Sequence, residues 1–516
     1  MKNIILLISL FTILGCARKQ DSSEINAFYF YKLDLTKSIE DKLLVELEYT
    51  GKLTDTISFC LPKIVPGIYN STNFGKFVND FKAFDTKGNA LKTIKKDQNC
   101  WTIINASSLS QISYKIDDGW EEFDFTDLRP YRSAESSYSN NAYIISTPAV
   151  FGYFKNHKDE TIKIEIEKPS EFYGATGLSL TSSSKTTDYF QTNKYSQLVD
   201  NPILYSSPDT TKIKLPNINI EVACYSSSGK KLSKKIAEYI KPLLENQTKY
   251  LGGKLPVDKY TFIIYHNLNP SETSYYSEGL EHASSTLVLM YIPDNIETIK
   301  NTIYRTASHE FFHTIMPIGL HSEEISNYNF NEPKFSKHLW LYEGMTEYFT
   351  IHMPIKHKLQ TLDNFINTLE NKVIEMKKLD PDLPFSELSK NPIKHQNQYM
   401  NVYFKGPLLN LCLDIKLREL SNGKYGVQEM IQDLIKEYGP NHPFKDDKLF
   451  SEIVRVTGYN ELNEFFEKYI ENSNTIPLIF ELKKVGLNLD WESGKITIEK
   501  ELTLKQINLR KHWINQ

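Results

Sequence analysis

Between Asn26 and about Ser206 apolar and polar residues alternate in short runs. The segments "AFYFYKLDL", "KLLVELEY", "TISFCLP" and "QISYKI" each carry the period of two that marks a half-buried strand. Gly, Asp, Asn and Pro turns separate them, so a β-rich domain is expected here. From about Lys212 the period changes, with a helical stretch around Leu232 to Leu251 and a strand "YTFIIYH" at Tyr260 to His266. "STLVLMYI", beginning near Ser285, is expected to form the edge strand of a mixed sheet. After Glu343 helix follows helix, including "LPFSELSK", a run starting at Pro407 and "NELNEFFEKYI" from Asn460. No internal repeat or low-complexity linker interrupts the order. The pattern is that of an α+β protein.

The first sixteen residues, "MKNIILLISLFTILGC", break the alternation with an apolar run from Ile4 to Leu14. That run is too short to cross a bilayer as a mature helix and reads as the core of a secretory signal. Ile13, Leu14, Gly15 and Cys16 resemble the bacterial lipobox, in which the cysteine is lipidated and becomes the new N-terminus. An exported lipoprotein of the cell envelope, anchored to the membrane through Cys16, is the expectation. Of the remaining cysteines, none lies in a C-x-x-C spacing, which excludes a cysteine zinc site. Export would permit a Cys60 to Cys100 bridge, but apolar settings such as "LNLCLDI" around Cys412 favour buried thiols.

Composition narrows the picture only a little. The 516 residues suffice for about three domains with sizeable cores. Sixty basic against 64 acidic side chains give a formal charge of -4, so no nucleic-acid partner is implied. The lysines of "GKKLSKK" (Gly229 to Lys235) have helical spacing and read as a solvated face.

Chemistry concentrates in "TASHEFFHTIMP", Thr306 to Pro317. Residues four apart on a helix share a face, so His309 and His313 can reach one ion. A catalytic zinc needs a third protein ligand and an open position. Thirty residues after His313 stands "HLWLYEGMTEYFT", too apolar for a solvated helix, which offers Glu343 as that ligand and Glu347 one turn further on. Glu347 is placed to accept a hydrogen bond from a ligand histidine. Glu310, flanked by the two histidines, is left as general base.

These residues bring the sequence to a resemblance. "HEFFH" followed by "LWLYEGMTEYF" resembles the glycyl aminopeptidase family of gluzincin metallopeptidases, relatives of the aminopeptidase N family. "LPKIVPGIYNSTNFGKFVNDFKAFDTKGNAL" (Leu61 to Leu91), with "CWTI" soon after, is similar to that family's N-terminal β-domain. "EGLEHASST" (Glu278 to Thr286) resembles its G-L-E-H segment, and "YFKG" (Tyr403 to Gly406) its Y-x-K-G segment. The resemblance implies one zinc per chain, an oxyanion-stabilising Tyr403, and Gly279 and Glu281 at the substrate's free amine. It implies peptide substrates with a small first residue, Gly or Ala. Gly406 and Pro407 are expected in a loop leading into a helix, and His282 is expected to be structural.

The implied organisation is a lipoprotein signal peptide over 1–15, a tether over 16–25 and a β-rich domain over 26–210. A thermolysin-like zinc peptidase domain over 211–360 follows, with a helical domain over 361–475 and a short tail over 476–516 that is too short for the PDZ domain of many members. The chain departs from the family after "HEFFH", where "TIMPIGLHSEEISNYNF" replaces a tryptophan and a basic stretch, so substrate contacts made there do not carry over. Ile64 replaces a tryptophan, a matter of packing. Two other readings compete with the aminopeptidase: an endopeptidase with an open cleft, if Glu281 stands far from the metal, and a surface binding protein on a peptidase scaffold. The latter would have no need of Glu310.

Overall fold

The computed structural model describes residues 27–515 apart from 38–40, 121–131, 140, 254 and 269–274. The expected signal peptide over 1–15, Cys16 and the expected tether over 16–25 lie outside the described residues.

The alternating runs of the N-terminal part form three sheets. A seven-stranded sheet orders Leu180–Ser183, Thr187–Thr192, Thr161–Glu167, Phe28–Asp34, Lys42–Tyr49, Leu109–Asp117 and Val78–Asp85 side by side. Two four-stranded sheets complete it. Inward residues such as Tyr29, Tyr31, Phe59, Tyr114 and Phe154 fill one core. Cys60 and Cys100 stand opposite each other on paired strands and are joined in a disulfide. This corrects the expectation of buried thiols: forty residues of sequence separate the two, but the strand register places them face to face. Cys224 and Cys412 are buried and free.

The next unit is a five-stranded mixed sheet in the order Thr210–Leu215, Ile218–Ser226, Lys259–Leu268, Ser285–Ile292, Tyr276–His282. "STLVLMYI" is therefore an interior strand, parallel to Lys259–Leu268 and antiparallel to Tyr276–His282. Its continuous apolar run is the mark of a strand covered on both faces. The edge belongs instead to Tyr276–His282, which contains "EGLEH". One face of the sheet packs against helices Ser233–Tyr250 and Ile296–Phe312 through Ile240, Leu244, Phe262, Met290, Ile303 and Phe311. The opposite face meets the N-terminal part through Ile144, Leu204, Ile263 and Leu287.

Beyond Glu343 the chain is helical, with Gly344–Lys356, Leu362–Met376 and Asn401–Leu420 around a large apolar core. The last forty residues add a short helix, a two-stranded hairpin and the helix Leu504–Ile514. That C-terminal helix docks by Trp513, whose indole donates to the Tyr348 hydroxyl at 2.9 Å and whose carbonyl lies 3.0 Å from His352 Nε2. No helix among the described residues is long and apolar enough to cross a membrane.

Candidate active site

The site is built where four elements converge. The histidine helix, Ile296–Phe312, is capped by Asn295, whose side chain accepts from the amides of Glu297 and Thr298. It carries His309 in its last turn, and His313 follows directly on its C-cap. Each ring is fixed from behind. His313 Nδ1 stands 2.8 Å from the Met316 carbonyl, which can only accept, so Nδ1 donates there and Nε2 is turned into the site. His309 Nδ1 faces Glu347 Oε2 at 2.9 Å, giving that ring the same orientation.

Glu343 sits where the short helix Leu339–Tyr342 passes into the glutamate helix, Gly344–Lys356. Its Oε2 is 3.5 Å from His309 Nε2 and 3.7 Å from His313 Nε2. Donors bound to one tetrahedral ion at about 2.0 to 2.1 Å stand roughly 3.3 Å apart, close to both spacings. Glu343 Oε2 is buried without a hydrogen-bond partner, as is Glu310 Oε2. Three convergent donors, each turned inward by a partner or by burial, fit a divalent cation.

The charge balance fits the same ion. Burial works to lower the His309 pKa, but Glu343 and Glu347 outweigh it and hold the imidazole well above its usual range. Burial pushes the Glu310 carboxyl up to about 7; His309 opposes this, while Glu343 and Glu347 add to it. Glu281 is raised to about 8, again first by desolvation, with His313 opposing and Glu343 and Glu310 reinforcing. Glu347 behaves differently: burial is outweighed by the Lys372 ammonium and by His309, which hold it at about 2. The pocket is thus rich in carboxylates and calls for positive charge.

The edge strand Tyr276–His282 brings in Gly279 and Glu281. Gly279 passes so near Glu310 that a Cβ there would stand 2.5 Å from its Oε1. Oxygens of Glu281 and Glu310 and a ring nitrogen of His313 all lie within 4.8 Å of one another. Glu281 is therefore beside the candidate metal centre, which removes the condition that favoured an open-cleft endopeptidase. Gly67, at φ +84°, lies against its carboxylate, and a Cβ there would meet Glu281 Oε1 at 2.7 Å. The "PGIY" turn of the N-terminal part thus walls the site. It is held there by amides of Lys63 and Ile64 donating to the Phe330 carbonyl, and by Gln396 donating to the Tyr69 carbonyl. His282 is buried with its Nδ1 3.3 Å from Asp200 Oδ1, turned to the scaffold.

Tyr403 arrives on the tyrosine helix, Asn401–Leu420. Its ring centroid is 5.7 Å from that of His309, and its hydroxyl hydrogen-bonds Glu343; burial works to raise that carboxyl's pKa, but His313 and His309, with Tyr403 adding to them, hold it below its usual value. Gly406 and Pro407 are not in a loop, as expected from the sequence, but inside this helix. The reason is packing: a Cβ on Gly406 would stand 2.8 Å from the Gly344 Cα, so the two helices cross with backbones touching. That crossing sets the phenol over the carboxylate. Gly344, Gly67 and Lys372, discussed below, were not singled out by sequence reasoning; a glycine inside each of two helical segments was the available signal for the crossing.

The sequence matches the Peptidase M61 N-terminal domain over residues 30–207 and the M61 glycyl aminopeptidase domain over residues 302–409. No curated protein matches. Among solved structures, an aminopeptidase N family protein from Idiomarina loihiensis shares 19% identity with a TM-score of 0.75, covering 90% of this chain and 79% of the other. An M1 zinc metallopeptidase from Deinococcus radiodurans has a TM-score of 0.54 at 12% identity, covering 88% and 95%. A mutant of an M1 zinc metallopeptidase from that organism, bound to a Tyr-Ser-Ala substrate, has a TM-score of 0.53 at 12% identity, covering 88% and 96%. At these identities the likeness concerns the fold, an N-terminal β-rich part followed by a thermolysin-like unit and helices. Fold, matched domains and the His/His/Glu cluster define a peptidase. Within that class, the chain belongs to the glycyl aminopeptidase family.

Proposed function

We propose that the protein is a zinc-dependent aminopeptidase that removes small N-terminal residues, Gly or Ala, from peptides. The observation that carries this is the convergence of His309 Nε2, His313 Nε2 and Glu343 Oε2, with Glu281 close beside them. Zinc, held by those three residues, would supply a Lewis acid that activates water and polarises the scissile carbonyl at neutral pH. Glu310, next to this centre with one oxygen unpartnered, takes the proton of the attacking water and hands it to the leaving amine. The Tyr403 hydroxyl donates to the carbonyl oxygen as negative charge develops there. Glu281 pairs with the substrate's α-ammonium, and Gly279 gives the peptide room along the edge strand. A structural neighbour is bound to a Tyr-Ser-Ala substrate, which supports short peptides as the substrate class but, with Tyr first, not the preference for Gly or Ala.

Two features support action outside the cytoplasm on a membrane tether at Cys16. The N-terminal run has the form of a lipoprotein signal, and the Cys60–Cys100 disulfide suits an oxidising compartment.

The test is metal analysis with a time course on paired peptides. About one zinc per chain is expected, with stepwise trimming of free N-terminal Gly or Ala. Acetylated twins leave a desolvated Glu281 unpaired and should be cleaved at least about thirtyfold more slowly, the lower end of an expected cost of about 2 to 5 kcal/mol. Internal cleavage of the acetylated peptide at a comparable rate would overturn the aminopeptidase reading in favour of an endopeptidase.

A further inference from the structure

Pro407 has no amide hydrogen, so the carbonyl of Tyr403, four residues earlier in the same helix, receives no helical bond from it. The vacancy is filled from another helix. Lys372, on Leu362–Met376, donates its ammonium to the Tyr403 carbonyl at 2.9 Å. The same nitrogen lies 2.6 Å from Glu347 Oε1, and the other oxygen of that carboxylate holds His309 Nδ1 at 2.9 Å. Lys372 is only 8% exposed. A buried ammonium is costly unless its donors are used, and here two of them are spent on groups one bond removed from the reacting centre.

We propose that Lys372 is a positioning residue that ties the orientation of the His309 ring to the placement of the Tyr403 phenol. The proposal rests on the reading of His309 as a metal ligand and of Tyr403 as the oxyanion donor. Its basis is geometry. Glu347 divides its two oxygens between Lys372 and His309, so the carboxylate plane, and with it the ring, is fixed only while both are present. Removing the ammonium takes a donor from both Glu347 Oε1 and the Tyr403 carbonyl in a nearly dry site, which loosens the placement of each. The carboxylate rotates away from Nδ1, and the first turn of the tyrosine helix is released. Gly344 and Gly406 cross without side chains between them, so a shift in one helix passes directly to the other.

Lys372→Met keeps the apolar stem and deletes charge and donors. Outer partners of metal-bound histidines typically tune metal affinity by about 10- to 100-fold, which sets the expected loss of zinc affinity in a chelator competition using zinc alone. kcat should fall at least about tenfold, with KM within about threefold, because the lost interactions serve ligand and transition state rather than ground-state binding. Lys372→Arg should restore part of both. Combined with Glu347→Gln, the methionine variant should lose no more zinc affinity than the worse single variant, since both break one chain of contacts. Lys372→Gln, which retains a neutral donor, serves if the methionine variant does not fold. Zinc affinity and kcat unchanged from wild type in a folded variant would overturn the proposal, as would fully additive losses with Glu347→Gln. A wild-type protein that binds no zinc would instead sink the functional reading itself.

Discussion

At the scale of single residues the site is governed by where side chains are missing as much as by where they stand. Gly279 is a glycine because the Glu310 carboxylate occupies the place of its Cβ. Gly279→Ala should therefore push Glu310 aside, keeping zinc while lowering kcat by at least about tenfold, a part of the roughly hundred- to ten-thousand-fold that general-base catalysis contributes. Steady-state kinetics with parallel metal analysis decide it, and full activity would show that Glu310 does not need its present position. Glu310→Gln keeps the shape and removes the base, so turnover should drop by at least about a hundredfold with zinc retained. His309, Glu310, His313 and Glu343 were legible in the sequence because their signals are local: a helical spacing of four, and an apolar helix carrying a carboxylate. Lys372 was not legible. It stands in "ENKVIEMKK" among other charged residues, and nothing near it in the sequence distinguishes it from a lysine in water. Only the meeting of three helices gives it its partners.

At the scale of elements, period predicted type better than placement. The strands and the helix around Leu232 to Leu251 follow directly from their patterns. "STLVLMYI" was read as an edge, yet an unbroken apolar run signals cover on both faces, and the sparser "YSEGLEH" takes the edge beside Glu310. Proline and glycine in "YFKGP" read as a loop because their helical cost is local, whereas the close crossing with Gly344 and the Lys372 contact that offset it are tertiary. The glutamate helix is itself steadied by the C-terminal helix through His352. That ring is fully buried between the Tyr250 hydroxyl, 2.7 Å from Nδ1, and the Trp513 carbonyl. Burial lowers its pKa to about 3, with Asp414 opposing and Lys356 and Arg418 reinforcing. The ring is thus neutral when folded but protonates near 6.5 when unfolded, so stability is present above about pH 6.5 and is lost as pH falls towards 3. His352→Gln lacks this titration. The stability gap between wild type and His352→Gln should narrow by about 2 kcal/mol between pH 7 and pH 5. Urea unfolding of both proteins at the two pH values measures it, and a constant gap would mean the ring is already charged in the fold.

At the scale of the whole molecule, the N-terminal sheets do more than precede the peptidase unit. Their "PGIY" turn closes on Glu281 and Tyr69 packs against Phe335 and Tyr399, so the β-rich part is a wall of the site. The Cys60–Cys100 bridge lies in the strand that leads directly into that turn. Replacing both cysteines by serine should cost about 2 to 4 kcal/mol, the range for closing a loop of this size, read as a lower unfolding midpoint that reductant does not lower further. An unchanged midpoint would show that the bridge is not formed in the mature protein. The same oxidised bridge bears on where the protein works, because cytosolic thiols stay reduced. Export would begin with the apolar run Ile4 to Leu14, and Cys16 would carry the lipid that keeps the enzyme at a membrane. Each buried methylene of an acyl chain contributes about 0.8 kcal/mol, so anchoring by lipid should withstand salt that strips electrostatic binding. Wild-type protein is expected in the membrane fraction after a high-salt wash, released by detergent, with an N-terminal peptide beginning at a modified Cys16 in mass spectrometry. Cys16→Ser should move the protein to the soluble fraction with its activity on small peptides intact, because the site lies wholly within the folded body. Equal membrane retention of the two proteins would refute the anchor.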